Sequence, residues 1–242
     1  MNDVFLTFDI DWASDDVLNS TIDLLEEYNV EATFFVTHST PVLARLRSNN
    51  LFELGIHPNF NKILSGDEDK SYIQIIDEIL EIVPEAVSVR AHALAQSSYI
   101  SNEYQRRGLL YDLNTLIPVS AGFLIKPFLS SHNLITIPFF FEDDTYFFAE
   151  DARNNIEDYY TDNPECIKVF NFHPIHVYLN TYSSEQYNQS KTISKDITEL
   201  KKIINTSIFG TRDFLLQVIE YGKKHDYKFN KINRIGSLDN AT

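Results

Sequence analysis

The chain has a single cysteine, Cys166, so no intrachain disulfide can form, which fits a reducing compartment and a small core side chain at that position. Positive charge is scarce. Twenty basic residues face 35 acidic ones, for a formal net charge of −15, which excludes nucleic acid or an anionic membrane surface as the main partner. Long apolar runs are missing too: no stretch approaches the ~18 residues needed to span a bilayer. The opening "MNDVFLTF" lacks the basic and long apolar regions of a secretory signal. A cytoplasmic protein with no stable membrane insertion is expected. Glycine and proline are few, at 7 and 8 residues, and no Gly/Ser linker, internal repeat or low-complexity tract breaks the chain, which predicts one domain over 1–242.

What is present is enough apolar residue, 43% of 242, to bury a full core. Short, nearly continuous apolar runs alternate with helical patterns, as in a parallel sheet covered on both faces. The strands read in this way are "DVFLTF", "EATFFV", "LFELGI", "AVSVRA", "LLYDLN", "LITIPFFF" and "CIKVFNF", with "YKFNKI" as an eighth candidate. In "SDDVLNSTIDLLEEY", Ser14 can cap a helix whose first turn carries Asp15 and Asp16 and whose apolar face holds Leu18, Ile22 and Leu25. "SYIQIIDEILEIV" and "RDFLLQVIEYGKKH" repeat the pattern. The class is α/β, with a β/α barrel or a distorted barrel favoured over an open doubly wound sheet.

In such barrels the reactive groups gather at the C-terminal ends of the strands. Asp9 and Asp11 close the first run, in "TFDIDW", and strand alternation would put both on one side. His38 follows "TFFVT", His57 ends "LFELGI", Arg90 and His92 end "VSV", Glu142 and Asp143 end "IPFFF", and His173 ends "KVFNF" with His176 just beyond it. Pro58 and Pro174 hold His57 and His173 extended, as strand termini require. Histidines and aspartates at separate strand ends are a ligand set for zinc, or for cobalt or nickel. Each residue also has a plainer reading. Asp9 and Asp11 could cap the following helix, Arg90 could form an ordinary ion pair, and His176, a candidate catalytic residue with His173, could instead only fix the loop. His38 could line a groove, and His132 and His225 read as surface residues. In "PFFFEDDTYFF" the rings read mostly as core, and the tail "GSLDNAT" reads as frayed.

The strings "TFDIDW", "GIHPNF", "VRAH" and "FHPIHVYLN" come in the motif order of the polysaccharide deacetylases. The chain resembles a divergent member of that superfamily (NodB homology, carbohydrate esterase family 4), in the branch linked to lipopolysaccharide and O-antigen biosynthesis. The resemblance implies a distorted (β/α) barrel of about seven parallel strands. It implies Asp9 as base, Asp11 and His57 as metal ligands, Arg90 as the residue orienting the base, and His173 as general acid. "FEDD" falls where the family carries a residue that tunes the acid histidine, so Glu142 and Asp143 are candidates for that role. Two departures matter. Asn61 stands four residues after His57, where the family has its second metal histidine, and His92 stands where it usually has proline. His92 is preferred as third ligand, with Asn61 as the alternative.

The implied activity is metal-dependent removal of an acetyl group from an N-acetylated sugar or saccharide precursor, with Zn2+ as the leading cofactor. Two alternatives are a catalytically silent carbohydrate-binding relative and an amidohydrolase acting on a non-sugar amide.

Overall fold

The computed structural model describes residues 2–67, 69–123, 125–146, 155–160, 166–194 and 196–235, so the tail "GSLDNAT" and part of the "PFFFEDDTYFF" run lie outside the described residues. The strands are β1 Asp3–Asp9, β2 Ala32–Val36, β3 Phe52–Ile56, β4 Ser88–Val89, β5 Tyr111–Asp112, β6 Phe128–Leu129, β7 Ile135–Thr136, β8 Phe141–Glu142, β9 Lys168–Phe172 and β10 Lys228–Phe229. They form one sheet in the order β6-β7-β5-β4-β3-β2-β1-β9-β8, with β10 pairing β1. All described pairings are parallel except β6 with β7. The fold is therefore α/β with a curled, mostly parallel sheet, as expected, although it has more strands than about seven and one antiparallel edge.

The central strands are buried on both faces, which explains their continuous apolar runs. Phe8 stacks between Phe34 and Phe172, at ring-centroid distances of 5.1 and 5.9 Å, and ties β1 to its two neighbours. Helix Asp15–Glu27 lies across this layer and buries Val17, Leu18, Thr21, Ile22 and Leu25. Ser14 takes the extended conformation of an N-cap, but its hydroxyl makes no capping bond, so the start of this helix rests on Asp15 and Asp16 in its first turn. Helix Tyr72–Ile82 does carry a capping box, made by Ser71 and Gln74.

One expected strand is divided. "LITIPFFF" supplies β7, which pairs β5, and β8, which pairs β9, at opposite ends of the sheet order. Pro138 lies between them and offers no N–H for a ladder. On one side Phe139 N–H donates to Thr115 O at 3.0 Å, and on the other Phe140 N–H reaches Val169 O at 3.5 Å. A few residues thus bridge the two ends of the sheet, which is what curls it into a barrel-like shape and draws the ends of β1, β3, β4, β8 and β9 toward one mouth. Among the described residues, no helix is long and apolar enough to cross a membrane.

Candidate functional site

The site begins where β1 ends. Asp9 is the last residue of the strand, and Asp11 sits beyond it with φ of 41°, in the left-handed region that a non-glycine residue adopts only when its surroundings demand it. Strand alternation is therefore not what brings the two carboxylates together; a turn at Asp11 does. Thr37 holds this turn, because its hydroxyl donates to the Asp11 carbonyl at 2.6 Å. His38 is engaged by Thr37 at 2.8 Å and is not part of the cavity wall described below.

Asp9 is buried and has a partner on each oxygen. Arg90 Nη1 donates to Oδ1 at 3.0 Å, and Asn171 Nδ2 donates to Oδ2 at 2.8 Å. Arg90 is completely buried, with further bonds to Asn171 Oδ1 at 2.6 Å, Thr7 Oγ1 at 3.0 Å and the Leu113 carbonyl at 3.3 Å. Its guanidinium is sandwiched between Phe35 and Phe139, 4.7 and 4.5 Å from the ring centroids. Burial opposes ionisation of Asp9, but Arg90, followed by His57 and His173, outweighs it and holds the carboxyl below its ordinary pKa.

Asp11, His57 and His92 form a second group. Asp11 Oδ1 lies 3.3 Å from His57 Nε2 and 3.0 Å from His92 Nδ1, and one donor atom from each residue fits within a 4.8 Å cluster. His92 reaches this position from a 3-10 turn after β4, not from the strand itself, and Ala93 and Leu94 in that turn have φ of 54° and 52°. Burial opposes ionisation of Asp11, and the two imidazoles outweigh it, so its pKa is far below the usual range. The telling feature is His57: it is buried, yet neither ring nitrogen has a hydrogen-bond partner among the described residues. A buried polar atom left without a partner is costly, and two on one imidazole, beside a carboxylate and a second imidazole, suit a divalent cation. Asn61 is exposed at the start of helix Asn61–Leu64, and it is not part of this cluster.

A third group lies opposite. His173 directly follows β9, and its Nδ1–H donates to Asp143 Oδ1 at 2.6 Å, while its backbone N–H donates to Asp143 Oδ2 at 2.8 Å. Its Nε2 is 3.6 Å from Asp11 Oδ2 and 4.0 Å from Asp9 Oδ2. Burial opposes a charge on this ring, but Asp144 and then Asp143 outweigh it and raise its pKa well above the ordinary value. His176 Nε2 turns to Asp144 Oδ1 at 2.5 Å and does not line the cavity. Glu142 accepts from Asn171 at 3.2 Å, and its pKa is raised, chiefly by burial. Of the two acidic residues expected to tune His173, Asp143 is the one bonded to it.

Asp9, His57, His92, Glu142, Asp144 and His173 line a cavity of about 300 Å³. The structure thus gathers Asp9, Asp11, His57, Arg90, His92 and His173 at one mouth, and leaves Asn61 outside. Sequence reasoning missed Thr7, Asn171 and Asp144. Thr7 and Asn171 left a trace, as polar residues inside otherwise apolar strands.

Comparisons with known proteins give the chain a family. The profile of a family described as WbmS-like polysaccharide deacetylase matches residues 6–191. The crystal structure of a Bordetella bronchiseptica protein, described as a polysaccharide deacetylase involved in O-antigen biosynthesis, is 42% identical. It superimposes with a TM-score of 0.84, over 90% of each chain. The catalytic domain of a peptidoglycan N-acetylglucosamine deacetylase from Eubacterium rectale shares the fold at 15% identity and a TM-score of 0.55, over 98% of this chain and 90% of that one. Among curated proteins no relative matches the chain. With the profile covering most of the sequence, and the O-antigen relative aligned nearly end to end, the chain belongs to the WbmS-like family of polysaccharide deacetylases.

Proposed function

We propose that the chain acts as one domain, a metal-dependent N-deacetylase that removes acetyl from an N-acetylated sugar in surface-polysaccharide biosynthesis, in the cytoplasm. The observation that carries the reading is the buried imidazole of His57, whose ring nitrogens make no hydrogen bond among the described residues and lie 3.3 Å from Asp11 and 3.6 Å from Asp9, beside His92. Together with the deacetylase relatives, it supports a ligand set of Asp11, His57 and His92. A zinc ion there, or cobalt or nickel, would polarise the acetyl carbonyl and lower the pKa of an attacking water toward about 7.

The chain's own residues supply the rest. Asp9 is kept ionised and fixed on both oxygens by Arg90 and Asn171, so it can take the proton of the attacking water. The water oxygen bonds to the acyl carbon. The carbon–nitrogen bond then breaks, its electron pair leaves on nitrogen, and His173 Nε2 delivers a proton there. Acetate and a free sugar amine result. Asp143 orients His173 through Nδ1 and stabilises its protonated form. A cavity of about 300 Å³ is at the small end for ligand sites and suits one acetamido sugar unit. No observation favours a silent sugar-binding relative or a hydrolase of non-sugar amides.

The test is acetate release from N-acetylhexosamine glycosides by the metal-loaded protein. Asp9→Asn is expected to keep the ion and lose turnover. Loss of the ion in Asp9→Asn, or no acetate release by the wild type, would contradict the proposal.

A further inference from the structure

Around the reacting centre, Asp9 is held by Arg90 and Asn171, Asp11 faces two imidazoles, Asp143 is bonded to His173, and half-buried Glu142 accepts from Asn171. Asp144 is different. Its side chain is 36% exposed, it lines the cavity, and among the described residues only Oδ1 is hydrogen-bonded, by His176 Nε2 at 2.5 Å. Its Oδ2 lies 3.9 Å from His173 Nε2, too far for a hydrogen bond.

His176 fixes that carboxylate from behind. It is completely buried, its ring packs on Tyr187 with centroids 4.3 Å apart, and it meets His173 edge-to-face at 5.6 Å. Asp144 is therefore aimed at the cavity by a residue that cannot move freely.

The spacing defines what Asp144 can touch. A leaving atom that takes a proton from His173 Nε2 sits roughly 3 Å from it. With the carboxylate 3.9 Å from that nitrogen, an atom on the cavity side of both can lie within hydrogen-bond reach of Oδ2 as well. An amide nitrogen carries a hydrogen of its own, so it can donate to Oδ2 while it receives a proton from His173. An ester oxygen has only lone pairs to turn toward the carboxylate.

We propose that Asp144 accepts the N–H of the scissile acetamido group and so selects N-acetyl over O-acetyl sugars. His176 is the positioning residue that acts through it. This inference rests on the deacetylase reading of the same site and adds the choice between amide and ester.

In Asp144→Asn, the His176 donor claims the new amide oxygen and leaves an NH2 group facing the leaving atom. That arrangement repels an N–H and suits an ester oxygen. The experiment measures kcat/KM for acetate release by the metal-loaded protein from methyl 2-acetamido-2-deoxyhexosides and the matching methyl 2-O-acetylhexosides. The wild type is expected to prefer the amides. Asp144→Asn should lower the amide-to-ester ratio by about tenfold or more while its metal content stays at the wild-type level. His176→Leu should lower the ratio in the same direction, and His176→Gln, which keeps a donor for Asp144, should restore part of it. An unchanged ratio in Asp144→Asn overturns the inference and leaves the deacetylase reading standing, whereas a wild-type preference for esters, or loss of the ion in Asp144→Asn, overturns both. Hydrolysis of neither class by the wild type overturns both.

Discussion

Replacing Arg90 by methionine tests the arrangement beneath the cavity. Arg90 is completely buried, bonds to Asp9, Asn171, Thr7 and the Leu113 carbonyl, and lies between two phenylalanine rings. Methionine fills much of the same slot, so the main loss is electrostatic: the Asp9 carboxylate stays buried without its cation. Breaking a buried pair in this way costs about 3–5 kcal/mol, which for a chain of this size lowers Tm by roughly 6–20 °C. The pH dependence has a definite sign. In the wild type the Asp9 pKa is depressed, so the stability this group contributes is present above the unfolded value near 3.9 and is lost as the pH falls through the lower folded value. Without Arg90, burial dominates and the carboxyl prefers to be neutral. The gap between Arg90→Met and wild type should therefore be widest at neutral pH and narrow toward about pH 4. Thermal and urea unfolding of Arg90→Met, Asp9→Asn and the double variant at both pH values provide the assay. The double variant should lose less than the sum of the two single losses, by about 1–3 kcal/mol. Strict additivity, or a cost for Arg90→Met below about 1 kcal/mol at pH 7, would refute the reasoning. Turnover of Arg90→Met should fall by about a hundredfold, because Asp9 loses its orientation.

Other perturbations probe separate parts. His57→Ala and His92→Ala should lose the bound ion in elemental analysis, whereas Asn61→Ala, altered outside the cluster, should retain it. Glu53, in β3, is buried and accepts from Thr33, Ser88 and the Asn233 backbone, with a pKa raised chiefly by burial. Its contribution is complete below the unfolded carboxylate range and is lost as the pH rises through the folded value. Glu53→Gln should accordingly raise Tm at pH 7 and not at pH 4, as read by calorimetry. A Cβ at Gly55 would lie 2.6 Å from Ser88 Oγ and 2.7 Å from the Phe35 ring that packs on Arg90. Gly55→Ala should cost about 1–3 kcal/mol in urea unfolding and lower turnover along with it.

The central strands were legible because a parallel sheet buried on both faces demands continuous apolar runs, and "DVFLTF", "EATFFV" and "KVFNF" are such runs. His57 and His173 could be placed at strand ends because a proline follows each. The division of "LITIPFFF" was not legible, because which edge each half joins is decided by closure of the sheet, and no local pattern carries that. The left-handed turn at Asp11 was equally hidden: its φ is imposed by its surroundings, among them the bond from Thr37. Asn171 had a weak signal, as a polar residue in an apolar strand, but its bridge between Asp9, Arg90 and Glu142 joins positions up to 162 residues apart in the chain. His176 stood out by its spacing from His173, yet its partner Asp144 is 32 positions away, and no periodicity links them.

The most direct test of the account is an anomalous-diffraction map of crystals of the protein loaded with zinc. A single strong peak about 2.0–2.3 Å from the Asp11 carboxylate and from a ring nitrogen of both His57 and His92 is the predicted result. A map without such a peak, or with the ion held instead by Asp143, Asp144, His173 and His176, would contradict it.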